Sequence, residues 1–417
     1  MSPAVAKYTL QRPVELKGDE KRESMKAESD NDHQSTASSI LAFFRAVAGD
    51  PHSRLREWKA SSGKKIIACM PMQIPEEIIH AAGALPVVIP EGDGPVTVAS
   101  KHIQYFFCGY ARSVIDSVLR GKWDCLDGLV TQDTCHTMRP LFDIIEANHP
   151  FRYMRRVFMP VAVAKKQAKP FLLGELERFR ASVGKFVGKE IDNEALQKSI
   201  DIYNENRDLM TRLYDLRRQR PGLLTLREMV DVMLAGMVTP KEEHNELLRK
   251  LLPALADRKP PIPDVNNRVR LVLTGSLCEA PPAELLALTE DLGGVVVDDD
   301  LYTGSRYFLT RVPSLANPIE GLAEAYLHMT APCPTRIYPE MTLGPYLVDR
   351  VKRAEAKGLI IILVKYCEAH DYTYPHMRRH LDPAGIPYLM IKTEHETSSV
   401  EQMKTRLQAF FEIIRGR

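Results

Sequence analysis

Residues 64–90 read KKIIACMPMQIPEEIIHAAGALPVVIP. Two apolar runs, KKIIACMP and ALPVVIP, flank the segment PEEIIHAAG, which is apolar at helical spacing and closes on a glycine. The pattern predicts a strand, a helix ended by glycine, and a second strand. The strand runs are apolar at successive positions rather than alternate ones. Both faces of such a strand are buried, which is the condition inside a parallel sheet covered by helices. One βαβ unit of this kind sets the fold class, and the flanking sequence extends it.

Downstream, 108–123 (CGYARSVIDSVLRGKW) is helical, 125–132 (CLDGLVTQ) a strand, 137–149 (TMRPLFDIIEANH) a helix and 153–161 (YMRRVFMPV) a strand. Upstream, 38–62 forms a helical lead-in that opens with SSILAFFRAVAGD. Residues 166–262 change character to charged, helix-periodic stretches such as 193–220 and 242–258, and 258–267 (RKPPIPDVNN) reads as a linker. From 268 the βαβ pattern restarts. Strands are expected at 269–276, 294–300, 358–367 and 386–394, with helices at 282–293, 376–385 and 399–415. The expected architecture is α/β: two doubly wound parallel-sheet domains, 38–165 and 263–417, bracketing a helical connection at 166–262. An N-terminal helical arm precedes them, and its residues 1–37 are polar. The two α/β halves read as distant repeats of weak identity.

The chain has 417 residues, 44% hydrophobic and 26% charged, which is ordinary for a globular protein with room for a large core. Its formal net charge is only +2, which argues against nucleic acid as a partner. No apolar run of about 18 residues is present, so no membrane span is expected. The N-terminus has no apolar signal-peptide core, so a cytoplasmic location is expected. No G-x-x-x-x-G-K-[ST] phosphate loop and no G-x-G-x-x-G fingerprint occurs.

Seven cysteines at 69, 108, 125, 135, 278, 333 and 367 form an odd, scattered set, read as thiols or metal ligands rather than disulfides. Three occupy the same kind of place. Cys108 opens a helix, and Cys135 and Cys367 each follow a strand and precede a helix. Ligands of open α/β sheets gather at the carboxyl ends of strands, and helix N-termini favour anions and thiolates. The simplest geometry sets these three on facing edges of an inter-domain cleft, where they suit a metal better than a nucleophile. Their spacing excludes a compact C-x-x-C zinc motif or a ferredoxin-type run. Cys69 reads as core, Cys125 as structural, Cys333 as a loop residue, and Cys278 as a spare ligand.

The blocks PEEIIHAAGALPVVIP, FFCGYARS, TQDTCHTMRPL and VKYCEAHDYTYPHMRRHLDPAGIPYLMIKTE resemble, in order and separation, the benzoyl-CoA reductase and 2-hydroxyacyl-CoA dehydratase family. The likeness spans residues 60–415 and is strongest to the smaller cluster-bearing subunit of the ATP-dependent benzoyl-CoA reductases. It implies a [4Fe–4S] cluster on Cys108, Cys135 and Cys367, with one iron left without a protein ligand. It also implies a homologous cluster-bearing partner subunit, a separate ATPase carrying its own [4Fe–4S] cluster, and a CoA-thioester substrate. The implied reaction is low-potential one-electron reduction, an oxidoreductase giving a cyclic dienoyl-CoA. The alternative within the family is a 2-hydroxyacyl-CoA dehydratase, a lyase working through a ketyl radical.

Such chemistry needs positioned acids. Glu77 and His80, three residues apart on one helix, are candidates, as is His136 beside Cys135; His370 and Asp371 read as groups that orient the Cys367 loop. Arg306 and Arg112 are candidates for the phosphates of the CoA tail, with Arg139 and Lys365 behind them. Tyr105, Phe106 and Phe107 are placed to give a cluster apolar cover.

Overall fold

A computed structural model describes residues 35–70, 73–92, 94–275, 280–338, 342–395 and 399–416. Cys278 and residues 1–34 of the N-terminal arm lie outside the described residues.

The first half runs α1 (35–49), α2 (Pro51–Ser62), β1 (Ile66–Met70), α3 (Glu76–Ala81), β2 (Leu85–Val88), α4 (Gly109–Leu119), β3 (Gly128–Gln132), α5 (Met138–Asn148) and β4 (Tyr153–Val157). Four helices follow: α6 (Ala168–Val187), α7 (Asn193–Gln219), α8 (Leu226–Val238) and α9 (Lys241–Ala254). The second half runs β5 (Val269–Gly275), α10 (Ala283–Asp291), β6 (Gly294–Asp300), α11 (Ser305–Phe308), α12 (Pro318–Leu327), α13 (Leu343–Arg353), β7 (Gly358–Val364), α14 (Glu368–Leu381), β8 (Tyr388–Thr393) and α15 (Val400–Arg415).

Local chemistry sets the boundaries. Asp50 accepts the Ser53 N–H at 3.0 Å to start α2, Pro51 occupies its first turn, and Gly63 ends it at φ 65°. Thr225 and Glu228 form a reciprocal capping box on α8. One expectation is revised. The segment read as a helix over 376–385 begins at Glu368 and runs through Pro375, because packing against α13 carries it past a residue that lacks an N–H donor.

The strands form two four-stranded, wholly parallel sheets, ordered β2-β1-β3-β4 and β6-β5-β7-β8. The two halves therefore share one strand order. In each, the chain reverses winding direction at the first strand of the sheet, between β1 and β3 or between β5 and β7, which opens a crevice at their carboxyl ends. Cys135 follows β3 and Cys367 follows β7. Strands β1 and β7 are buried at every position, as their unbroken apolar runs require.

The first sheet shares one core with helices α6 to α9. Most apolar residues of 302–333, including Phe308, Val312 and Leu322, join that core although they lie between β6 and β7 in the chain. The second sheet has separate apolar layers on its two faces. At the end of β6, Asp298, Asp299 and Asp300 are all buried, and each meets an arginine: Arg350 at 2.6 Å, Arg217 at 3.0 Å and Arg306 at 2.8 Å. Arg217 lies on α7, so this pair fastens the helical segment to the second sheet. No described helix is long and apolar enough to cross a membrane.

Candidate functional site

Cys108, Cys135 and Cys367 line one pocket between the two α/β halves. Cys108 is the residue that caps α4, and Cys367 caps α14. Both thiols thus sit at the positive ends of helices of 11 and 14 residues. The Cys135 carbonyl accepts the Met138 N–H at 3.1 Å in the turn leading into α5. Burial pushes the Cys135 thiol up. Tyr366, immediately before Cys367, adopts φ 68°, a left-handed conformation that a bulky residue holds only under constraint.

Tyr110, Met138 and Tyr366 give the pocket apolar walls. Phe107 is buried beside it, whereas Tyr105 and Phe106 are 73% and 50% exposed and so form an open aromatic rim. Tyr105 meets Tyr366 edge-on across the cleft, with centroids 6.3 Å apart. Polar contacts also cross the cleft. His136 Nδ1 lies 3.2 Å from Glu368, His395 is bonded to Glu91 and to the Gly94 carbonyl, and Arg112 stands 3.8 Å from Glu394. Among the described residues no three His, Cys, Asp or Glu side chains are grouped compactly enough to hold a single metal ion.

The chain belongs to the 2-hydroxyglutaryl-CoA dehydratase, D-component family. The model of that family matches residues 71–414. The chain is 28% identical over 375 residues to the (R)-phenyllactyl-CoA dehydratase beta subunit of Clostridium sporogenes, covering 89% of this chain and 97% of the relative. It is 29% identical over 364 residues to a benzoyl-CoA reductase subunit of Thauera aromatica, covering 86% and 94%. It is 27% identical to the (R)-2-hydroxyglutaryl-CoA dehydratase beta subunit of Acidaminococcus fermentans, covering 90% and 99%. Reductase and dehydratase subunits of the D-component family match almost equally, so identity does not separate them.

The other residues singled out by sequence occupy different places. Glu77 is buried and ion-paired with Arg207. His80 is bonded to Ser199 at 2.8 Å and Glu242 at 3.0 Å, away from the cysteine pocket. His136 lines that pocket at its half-exposed edge. Arg306 is buried, with its donors on Asp300 and the Pro332 carbonyl. Arg112 donates to the Phe107 carbonyl at 3.0 Å. Arg139 pairs with Asp133, and Lys365 with Glu394.

A second polar centre has no counterpart among the sequence expectations. Glu76, at the start of α3, accepts the Tyr307 hydroxyl at 2.9 Å and the Tyr203 hydroxyl at 3.3 Å. Lys241 donates to Tyr307 Oη at 2.9 Å and to the Gly236 carbonyl at 2.5 Å. Burial raises the Glu76 carboxyl, partly offset by Lys241, and burial lowers the Lys241 ammonium. Both shifts favour the neutral forms. Cys333, expected as a loop thiol, is buried, takes the Tyr302 hydroxyl at 3.3 Å, and lies 3.1 Å from the Thr335 hydroxyl. Burial acts against its ionisation, but Arg336 and these two hydroxyls outweigh it and hold the thiol below its ordinary value. The doubled glutamate at 76–77 is the one local signal for this centre. Tyr203, Lys241 and Tyr307 come from remote segments.

Proposed function

We propose that this chain is a cluster-bearing subunit of an enzyme that delivers single low-potential electrons to a CoA thioester, of the benzoyl-CoA reductase type, giving a cyclic dienoyl-CoA. The observation that carries the reading is the meeting of Cys108, Cys135 and Cys367 at one pocket. These three thiols are the groups that would hold a [4Fe–4S] cluster. When bound, the cluster would supply single electrons at low potential.

The chain's own residues do the remaining work. The N-termini of α4 and α14 favour the thiolate forms of Cys108 and Cys367. Tyr110, Met138 and Phe107 exclude water, a condition of low potential. The exposed rim of Tyr105 and Phe106 is covered by the homologous partner subunit, in keeping with relatives that are named as subunits. A separate ATPase supplies the electrons, as the family resemblance implies. Of the two adjacent carboxyls on α3, Glu76 holds the movable proton. Glu77 is fixed by Arg207, whereas Glu76 is bonded to the Tyr307 hydroxyl, which also meets Lys241. His136 relays protons at the pocket edge through Glu368, and His80 is left a structural role. Arg306 commits its donors inside the protein, to Asp300 and the Pro332 carbonyl.

A 2-hydroxyacyl-CoA dehydratase subunit is the second reading, favoured by the two relatives named as dehydratase subunits. Iron and sulfide analysis under anaerobic conditions tests the shared part. Cys108→Ser, Cys135→Ser and Cys367→Ser are each expected to lose cluster, and full occupancy in all three rejects the assignment. Incubating the assembled complex with benzoyl-CoA and with 2-hydroxyacyl-CoAs, under reductant and ATP, separates the two readings by product.

A further inference from the structure

The two walls of the cysteine pocket ride on different halves of the chain, and each is tied by hydrogen bonds to one side of a single ion pair. On the first half, Cys108 caps α4. The chain after β2 is laid on that helix. The Tyr110 hydroxyl donates to the Ile89 carbonyl at 2.9 Å, and the Gly92 N–H donates to Ser113 Oγ at 3.1 Å. A Cβ on Gly92 would stand 2.8 Å from the Ser113 carbonyl oxygen, so only glycine lets the backbone come this close. Glu91 lies between these two contacts and moves with Cys108. On the second half, Cys367 follows β7. The Lys365 N–H, two residues before it, donates to the Thr393 carbonyl at 2.9 Å, and Lys365 Nζ donates to Glu394 at 2.9 Å. His395 comes next in the chain and moves with Cys367.

His395 joins the two sides. Its Nδ1 is bonded to Glu91 Oε1, and its Nε2 donates to the Gly94 carbonyl at 2.9 Å. A carboxylate and a carbonyl only accept, so both ring nitrogens carry protons and the ring is an imidazolium. The His395 side chain is 7% exposed and that of Glu91 20%, so water and salt screen the pair weakly. The other polar contacts across the cleft are looser. His136 and Glu368 are each more than half exposed, and Arg112 stands 3.8 Å from Glu394.

We infer that His395 and Glu91 are positioning residues: the pair fastens the helix that starts at Cys108 to the strand end that precedes Cys367, and so holds the two thiols at a set spacing for the cluster. The inference rests on the proposed ligation and adds the part of the chain that keeps it assembled. Neither residue lines the cysteine pocket. The pair acts through Gly92 and α4 on one side and through the end of β8 on the other.

Iron release from the assembled, cluster-loaded complex tests this without turnover, in the absence of reductant and ATP, with bathophenanthroline as the ferrous chelator. His395→Ala and Glu91→Ala should each release iron roughly tenfold faster than the wild type, the order expected for one charge-assisted hydrogen bond. The double variant should be no faster than His395→Ala alone, because the bond between the two is already gone. His395→Arg keeps a cation and donors for both oxygens and should restore most of the delay. Arg258→Ala breaks a pair with Glu228 in the helical layer and should leave the rate unchanged. Hydrogen exchange read by mass spectrometry needs no iron: residues 85–92 and 105–113 should exchange faster in both alanine variants. Glu91→Gln keeps the shape and removes the charge; it decides the matter, by a several-fold faster release, if the alanine variants do not fold. Wild-type release rates, additive effects in the double variant, no rescue by His395→Arg, or equal acceleration by Arg258→Ala overturns the inference. If the cysteine variants keep their iron, the cluster reading fails and the exchange data alone judge the fastening. If they lose iron as expected while the His395 and Glu91 variants behave as wild type, this inference alone fails.

Discussion

Tyr307 donates its hydroxyl to the Glu76 carboxyl at 2.9 Å, joining two residues 231 positions apart. The bond crosses from the segment after β6 to the first turn of α3, and Lys241 feeds the same hydroxyl from behind at 2.9 Å. Around this bond burial dominates, and it raises the Glu76 carboxyl above its ordinary 4.5. A carboxyl raised in the folded state favours folding while it stays protonated. Its contribution is complete below pH 4.5 and is lost as pH rises through the folded value.

Glu76→Gln keeps the shape and removes the titration. Wild-type stability is expected to fall with rising pH above 4.5, by up to about 1.4 kcal/mol per pH unit within the window, and the variant to lack this component. The nearby Lys241 ammonium reduces the slope wherever it is charged. Urea midpoints from pH 4.5 to 8 check this: the variant should gain on the wild type as pH rises. Parallel curves would mean that the carboxyl titrates alike in both states.

Asp116 is the opposite case. Its Oδ1 accepts the N–H groups of Thr97, Val98 and Ala99 at 2.8, 2.6 and 3.0 Å, and Oδ2 meets Arg120 at 2.6 Å. Burial works to raise this carboxyl, but the three N–H bonds and Arg120 outweigh it and hold it below 3.8. The residue ties the loop before Cys108 to the helix that Cys108 caps. Asp116→Ala strands three donors and is expected to cost about 3 kcal/mol at pH 7. A depressed carboxyl contributes above pH 3.8 and loses its contribution as pH falls through the folded value. The deficit of the variant should therefore shrink in acid, as read from urea unfolding at pH 7 and pH 3.

His244 sets an acid limit from within the helical layer. Its ring is buried edge-on to Phe44, with centroids 5.3 Å apart, and its Nδ1 accepts the Asn206 amide at 2.8 Å. Burial, reinforced by Lys241, lowers it to about 3. The unfolded chain binds a proton near pH 6.5 that the folded chain resists, so stability falls as pH drops below 6.5 toward 3. His244→Asn is expected to be less stable at pH 7 but to decline more gently in acid, by about 1.4 kcal/mol less per pH unit. Thermal unfolding at half-unit pH steps should show the two curves converging.

The sheets were legible because their strands are short apolar runs set between helices. The Ile66–Met70 and Gly358–Val364 runs need no tertiary information to be read. The 302–333 segment was not legible, since its apolar residues pack into the core of the other half and carry no local period that says so. The three cysteines could be found because each stands at an element boundary, a feature of local order. The Glu76, Tyr307 and Lys241 chain could not, because only folding brings its members together. Helix spacing points to Glu77; within the first turn of α3, Arg207 decides which of the two adjacent carboxyls is locked.

His370 offers a test of the cysteine pocket that does not depend on turnover. Its Nδ1 lies 3.7 Å from Cys367 Sγ, and its buried Nε2 has no hydrogen-bond partner among the described residues. An unmet lone pair is better tolerated in a protein interior than an unmet N–H. The ring therefore keeps its proton on Nδ1, directed at the sulfur. A hydrogen bond to a cluster thiolate withdraws electron density and raises the reduction potential. On the proposed ligation, His370→Phe should retain iron and sulfide but shift the midpoint more negative in an EPR-monitored redox titration. His370→Asn, which keeps a donor near the same place, should recover most of the shift. A residue that only fills space would leave the potential alike in all three proteins at equal iron content. Loss of iron from both variants would instead make His370 a support for the loop that carries Cys367.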